Sequence, residues 1–170
     1  TRGRGGQRIS IPFFLTAGLI EERRAPWWDE LDHLLATTRK PHLELAGRVL
    51  PLTDRRSRAV ALRAAVASFH VSPVEQRGRL AELAAQLGVA EPAPCALATW
   101  DEAAKLPAAG MEVGAHTLTH PFLPTLTAVQ QAAEIGGSFD LIERRLGLRP
   151  RGLAYPGGDH DAASLAAAAA

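Results

Sequence analysis

Residues 110–122, Gly-Met-Glu-Val-Gly-Ala-His-Thr-Leu-Thr-His-Pro-Phe, decide the fold of this chain. Apolar and other residues alternate over 111–116, which is the period-two pattern of a half-buried strand. His116 and His120 close the stretch four positions apart, and Pro121 disfavours a helical backbone at His120. The sequence therefore predicts a strand end and a turn that hold two imidazoles. Zinc accepts imidazole nitrogen readily, so the pair is a candidate metal site, although the spacing alone equally fits two histidines with hydrogen-bonding roles.

Other segments on either side of this stretch predict a parallel sheet. Ile11–Thr16 is a compact apolar run typical of a buried strand, and Gly152–Tyr155 is a last strand before the Pro-Gly-Gly turn. Helices begin at capping residues Thr99 and Thr127, and the second ends at Gly147. Strands separated by helices indicate an α/β fold in which functional groups collect where the strands end. We therefore expect the histidine pair and residues 155–158 to share one edge of the sheet.

Residues 26–94 predict a mainly helical insertion. Leu43–Leu52 indicates a hairpin around Ala46-Gly47. A helix is predicted to open with the capping box at Ser72 and to end at Leu87-Gly88. A helix is predicted over residues 55–69, with four side chains facing the core: Val60, Leu62, Ala65 and Val66. Its arginines face outward and indicate a solvated face, or a surface for an anionic partner: Arg55, Arg56, Arg58 and Arg63.

The tryptophan pair that opens this insertion allows two interpretations. Trp27 and Trp28 are predicted to anchor their helix on the core, and the alternative is a platform on which a sugar stacks. Asp29, Asp32 and His33 on the same helix are typical of a solvated face and not of a metal site.

Composition limits the class of protein. With 170 residues, 46% of them hydrophobic, the chain suffices for one domain with its own core, and a net charge of +1 favours neither nucleic acid nor a membrane surface as a partner. We find no signal peptide and no membrane span, so a cytoplasmic location is favoured. Residues 1–10 are basic and glycine-rich and predict disorder. The single methionine is Met111 and the sequence stops within an alanine-rich stretch, so we expect a trimmed chain or a piece of a longer one.

Three segments carry a resemblance to a known family. Residues 112–123, with His-Thr-Leu-Thr-His at 116–120, resemble the H-[ST]-x-x-H metal motif of the polysaccharide deacetylase (NodB-homology) family. Residues 151–158, Arg-Gly-Leu-Ala-Tyr-Pro-Gly-Gly, are similar to its F-A-Y-P-x-G motif. Residues 11–18 and 26–31 resemble a strand and an insertion of the same subgroup, so the resemblance runs in family order over residues 11–170.

The resemblance implies a partial deformed (β/α) barrel with a helical insertion and a hydrolase that removes N-acetyl or O-acetyl groups from a glycan. His116 and His120 would be two of three protein ligands to a divalent metal, zinc first, which would polarise the acyl carbonyl and activate water. The substrate's acetyl group would lie against the Tyr155, Pro156, Gly157 and Gly158 loop, where a backbone N–H would face the developing oxyanion.

The sequence also departs from the family pattern. The family's Thr-Phe-Asp-Asp motif, which supplies a base and the third ligand, has no counterpart, and the substitute offered by residues 159–161, Asp-His-Asp, is weak. Three hypotheses follow: a metal-dependent deacetylase, a non-catalytic relative that binds glycan or a protein partner, and an unrelated helical binding module with an arginine face. We expect metal binding with negligible deacetylation by this chain alone. We also expect Phe13, Phe14 and Leu15 to lie at an unpaired or poorly covered sheet edge.

Overall fold

The computed structural model describes residues 10–170, which form a mixed α/β arrangement. The predicted disorder of residues 1–10 falls outside the described residues except for Ser10. The strands are β1 (Pro12–Leu15), β2 (His42–Leu45), β3 (Arg48–Pro51) and β4 (Glu112–Ala115). The helices are α1 (Ala17–Glu21), α2 (Trp27–Thr37), α3 (Arg55–Val66), α4 (Pro73–Leu87), α5 (Trp100–Ala103), α6 (Lys105–Ala108), α7 (Ala128–Leu146) and α8 (Ala162–Ala168). Single 3₁₀ turns lie at Ala67–Phe69, Leu123–Thr125 and Pro156–Gly158.

A parallel pair of strands carries the stretch that contains the histidines. β1 and β4 pair in parallel, with Phe13 opposite Val113 and Leu15 opposite Ala115. Their alternate side chains face α1, α5 and α7 and form a core with Leu141 and Ile142. The predicted strands at both places are therefore confirmed, each shorter than predicted by one residue at either end.

The predicted strand Gly152–Tyr155 is wrong as a strand. Within the described residues it makes one isolated parallel bridge, Leu153 with Ala115. The Ala115 N–H donates to Gly152 O at 2.9 Å, and the Ala154 N–H donates to Ala115 O at 3.0 Å. The next carbonyl oxygen, Ala154 O, accepts a hydrogen bond from the His116 side chain, and the chain turns at Pro156. The ladder of backbone hydrogen bonds therefore does not extend. The parallel direction is as predicted.

The β1 strand is not buried as the sequence predicts. Phe13 and Phe14 remain 41% and 42% exposed, because β1 has β4 as its only partner within the described residues. The Phe14 ring occupies the space that a Cβ at Gly114 would need. The expectation of a poorly covered edge is confirmed for these two phenylalanines. It is wrong for Leu15, which is buried with Leu141 and Ile142 because its side chain faces the helices.

The helical segment has its own core. The antiparallel hairpin β2–β3 turns at Ala46-Gly47, as predicted, and Leu43, Leu50 and Leu52 pack against α2, α3 and α4. The Ser72 capping box opens α4, and Gly88 in the left-handed conformation ends it. Capping boxes also open α5 at Thr99 and α7 at Thr127, as the sequence predicts.

Two inward positions of α3 were predicted wrongly. Val60 and Val66 are 45% and 39% exposed, whereas Ala61 and Ala65 are fully buried. Residues six apart on a helix point about 120° away from each other, so the two valines fall on either side of the buried stripe. Alanine at 61 and 65 lets α3 approach α2 closely. Arg58, predicted on the outward arginine face, is instead half-buried and donates to Leu35 O and Thr38 O at the end of α2.

In residues 10–170, the helices are too short or too polar to cross a membrane.

Candidate functional site

His116 is held at the end of β4 by two hydrogen bonds. Its backbone N–H donates to Leu15 O of β1 at 3.0 Å. Its ring nitrogen Nδ1 lies 2.7 Å from Ala154 O. A carbonyl oxygen can only accept, so Nδ1 carries the proton and Nε2 keeps a lone pair. A backbone carbonyl that fixes the tautomer in this way is the usual second partner of a metal-binding histidine.

The turn after β4 brings His120 back to His116. Thr117 and His120 both have φ of +61°, in the left-handed region that costs free energy for residues with a side chain. Thr117 is fully buried and connects the turn, because its hydroxyl donates to His116 O at 2.6 Å and accepts from the His120 N–H at 3.1 Å. The two imidazole rings lie 4.7 Å apart between centroids, nearly perpendicular at 80°. The structure thus places the predicted pair side by side.

A carboxylate that the sequence analysis did not select supports this turn. Glu134 of α7 accepts the N–H groups of Leu118 and Thr119, both at 2.9 Å, and the Thr119 hydroxyl at 2.7 Å. The available signal was its position on the helix, one turn from buried Gln131 and Ser138 and therefore on the inward stripe. An acid on the apolar face of an amphipathic helix indicates a buried polar partner.

Close backbone packing also fixes the turn. The Ala17 N–H donates to Thr117 O and the Leu19 N–H to Leu118 O, both at 3.2 Å. A Cβ added at Gly18 would lie 2.7 Å from Leu118 O, so only glycine fits there without a shift.

The Tyr155–Gly158 loop lies at the same sheet edge as the histidines, as predicted. It follows the Leu153 bridge directly, and Ala154 O accepts from His116. Gly157 and Gly158 have φ of +64° and +78°. The Tyr155 ring stacks on the ring of His160, with 4.9 Å between the ring centroids. The role of each loop residue in binding stays a prediction.

The electrostatics of the pair favour uncharged imidazole. Burial first, and then the charge that His116 carries when protonated, lower the pKa of His120 to about 4. Neutral imidazole is the form that binds a metal. At neutral pH His120 is therefore in the ligand form.

A third protein ligand is not apparent. No group of three His, Cys, Asp or Glu residues that could hold a metal ion occurs within residues 10–170. The carboxylates after the loop have other partners: Asp159 lies 3.6 Å from His70 Nε2, and Asp161 caps α8 and accepts from Gln131. His33 of α2 contacts Glu91 O at 3.2 Å.

The two tryptophans have different surroundings. Trp27 stacks on buried Phe69 at 5.0 Å and 10°, which is the predicted anchoring role. Trp28 lies with its ring 4.4 Å from that of His120, at 64°. Sequence reasoning treated the pair as one unit and missed this contact, because it depends on how α2 docks.

The family model for "Polysaccharide deacetylase" matches residues 68–170, more than half of the chain and including both histidines and the 155–158 loop. The chain belongs to the polysaccharide deacetylase family. The resemblance drawn from the sequence motifs is thereby confirmed.

Two solved structures are similar to parts of this family member. One is "Streptococcus pyogenes deacetylase PplD in complex with acetate", 26% identical, with a TM-score of 0.41, over 51% of this chain and 36% of that one. The other is "Family 4 carbohydrate esterase from Streptomyces lividans in complex with acetate", 28% identical, with a TM-score of 0.35, over 41% of this chain and 40% of that one. The chain therefore spans well under half the length of either. The search of curated proteins found no match.

Proposed function

We propose that this chain carries the metal-binding part of a glycan deacetylase centre, with His116 and His120 as two ligands to a divalent metal, zinc first. The deacetylase family makes an acetylated glycan the substrate class. We further propose that β1, β4 and the segment that carries the Leu153 bridge belong to the wall of a partial deformed (β/α) barrel, because all three run parallel.

The observation that carries the proposal is the hydrogen bond from His116 Nδ1 to Ala154 O. It leaves Nε2 as the nitrogen free to bind a metal and ties the histidine to the loop that would receive the acetyl group. His120 is beside it and uncharged at neutral pH. His120 is thus in the neutral form that zinc requires, and the ring of His116 is oriented by its bond to Ala154 O.

The 155–158 loop would line the acetyl pocket. Its left-handed glycines let a ligand approach the backbone closely. Pro156 has no N–H, and the Gly158 N–H donates to Tyr155 O at 2.9 Å. The N–H of Tyr155 or Gly157 is therefore the candidate donor to the oxyanion. A bound metal would supply Lewis acidity at the acyl oxygen and lower the pKa of a water molecule.

The proposal is tested by titrating the untagged, metal-free chain with zinc in a calorimeter at pH 7.5. We expect measurable binding, weaker than in a three-ligand site, which His116→Ala and His120→Ala each abolish. His42→Ala is the matched control, because His42 is an exposed histidine on the β2–β3 hairpin with its own carboxylate neighbour, Glu44. Loss of binding in the control, or its persistence in both site variants, would contradict the proposal.

The same protein separates catalysis from the alternative, a non-catalytic relative that binds glycan or a protein partner. Acetate release from N-acetylglucosamine oligomers is measured with zinc present. The sequence offers two metal ligands by motif and no counterpart of the Asp-Asp motif that would supply the base, so we expect negligible release. Robust release by this chain alone would show that another group here acts as the base.

A further inference from the structure

A stacked aromatic pair brings two side chains of the helical segment to the candidate site. Trp27 and Phe69 stack at 5.0 Å, and Phe69 is fully buried. The next residue after each, Trp28 and His70, contacts the loop that carries the second histidine. Because Phe69 is packed in the core and Trp27 stacks on it, the pair positions both neighbours.

Trp28 lies against the candidate metal ligand itself. Its ring centroid is 4.4 Å from that of His120. The helical segment therefore forms one wall of the site.

His70 contacts the same loop two residues further along, at Phe122. Its ring stacks on Phe122 at 4.2 Å and 23°. Its Nε2 lies 3.6 Å from Asp159 Oδ2, so the carboxylate adjoins one edge of the ring. The His70 side chain is nevertheless 56% exposed and that of Asp159 39% exposed. With one ring face covered by Phe122, the exposed part includes the opposite face.

The Pro-Gly-Gly turn places these groups beside the proposed acetyl pocket. A Cβ at Gly157 would lie 3.5 Å from the Phe122 ring and 4.0 Å from Asp159 Oδ2. The flat ring of His70 and the Asp159 carboxylate thus adjoin the loop that the acetyl group would contact.

We infer that His70, stacked on Phe122 and paired with Asp159, is a saccharide-binding platform contributed by the helical segment. A pyranose ring has an apolar C–H face that packs on a flat aromatic ring and hydroxyl groups that donate to a carboxylate. Sites for small ligands generally combine apolar and aromatic walls with a few placed polar groups. The Asp159 charge disfavours phosphorylated ligands. The inference rests on the proposed function for the substrate class, and it assigns the sugar next to the acetyl group to this platform.

The test is calorimetric titration with the N-acetylglucosamine tetramer, with and without zinc. His70→Ala should weaken binding about tenfold, a loss of about 1.4 kcal/mol. His70→Phe keeps the flat ring and should bind within about threefold of wild type, as a near-isosteric aromatic exchange predicts. His42→Ala again serves as the exposed-histidine control and should bind like wild type, and circular dichroism melts verify that each variant folds.

Zinc affinity should be the same in the wild type, His70→Ala and His42→Ala. The inference is overturned if wild type does not bind the tetramer, if His70→Ala binds it like wild type, or if His42→Ala loses as much as His70→Ala. Failure of zinc binding with an intact tetramer result would instead count against the proposed metal function alone.

Discussion

Glu134 should stabilise the histidine turn more than any exposed carboxylate on the same helix. Replacing it with alanine removes the acceptor of the Leu118 and Thr119 N–H groups and of the Thr119 hydroxyl. Hydrogen bonds to a charged group contribute roughly 1.5–3 kcal/mol each, and the partly exposed turn lets water replace some of them. We therefore expect Glu134→Ala to lower the free energy of unfolding by about 2–3 kcal/mol, less than the roughly 4.5–9 kcal/mol that the three bonds would give if water replaced none of them.

The matched control is Glu143→Ala, the same exchange on the same helix. Glu143 is 50% exposed and pairs with Arg149 at 2.8 Å, and an exposed ion pair contributes about 0–1 kcal/mol. Glu134→Gln, which keeps the side-chain shape, should fall between the two variants.

Urea unfolding of the metal-free proteins at pH 7.5 gives the three free energies. Zinc titration of the same samples gives a second measure, because loss of a supporting contact typically weakens metal affinity 10–100-fold, and Glu134→Ala alone should show this. Equal destabilisation by Glu134→Ala and Glu143→Ala, with equal zinc affinities, would refute the role of Glu134 in holding the turn.

Three further predictions concern packing, pH and the sheet edge. Gly18→Ala should destabilise the chain by about 1–3 kcal/mol in the same urea assay, because the added Cβ would meet Leu118 O. Gly78→Ala is the control: it has open space around it in α4 and should be neutral or stabilising. The metal-free chain should lose stability as the pH falls from about 6.5 to about 4. In that range the unfolded chain protonates His120, whereas the lowered pKa keeps His120 neutral in the folded state. His120→Gln should therefore flatten the pH dependence of urea midpoints measured between pH 4 and 7.5. The exposed edge at Phe13 should bind a hydrophobic dye, and Phe13→Lys should lower the dye fluorescence; no difference between the two would contradict an accessible edge.

Local signals in the sequence were sufficient for much of the fold. The capping boxes at Ser72, Thr99 and Thr127 and the left-handed Gly88 and Gly147 depend on neighbouring residues, so the helix ends they predict are the ones observed. The meeting of the histidines with the 155–158 loop also followed, because parallel strands bring their carboxyl ends to one edge.

The errors arise where tertiary packing decides. Val60 and Val66 look like core residues in the sequence, but the close approach of α3 to α2 selects the alanine stripe between them. Gly152–Tyr155 has the composition of a strand, yet the His116 side chain takes the Ala154 carbonyl oxygen that a longer ladder would use.

The site residues that the sequence missed are distant in the chain from the histidines. Glu134 contacts the turn from α7, and His70 contacts Phe122 from the helical segment. Such contacts have no local signature beyond an acid on an apolar stripe, so they emerge only from the docking of whole elements.

The central claim, that His116 and His120 together bind a divalent metal, is tested most directly by zinc K-edge X-ray absorption of the untagged chain loaded with one equivalent of zinc. We predict two imidazole ligands in the first shell, with zinc–nitrogen distances of about 2.0 Å. The double variant His116→Ala/His120→Ala should lose the zinc on desalting. Zinc bound through oxygen alone in the wild type, or an unchanged imidazole signal in the double variant, would contradict the account.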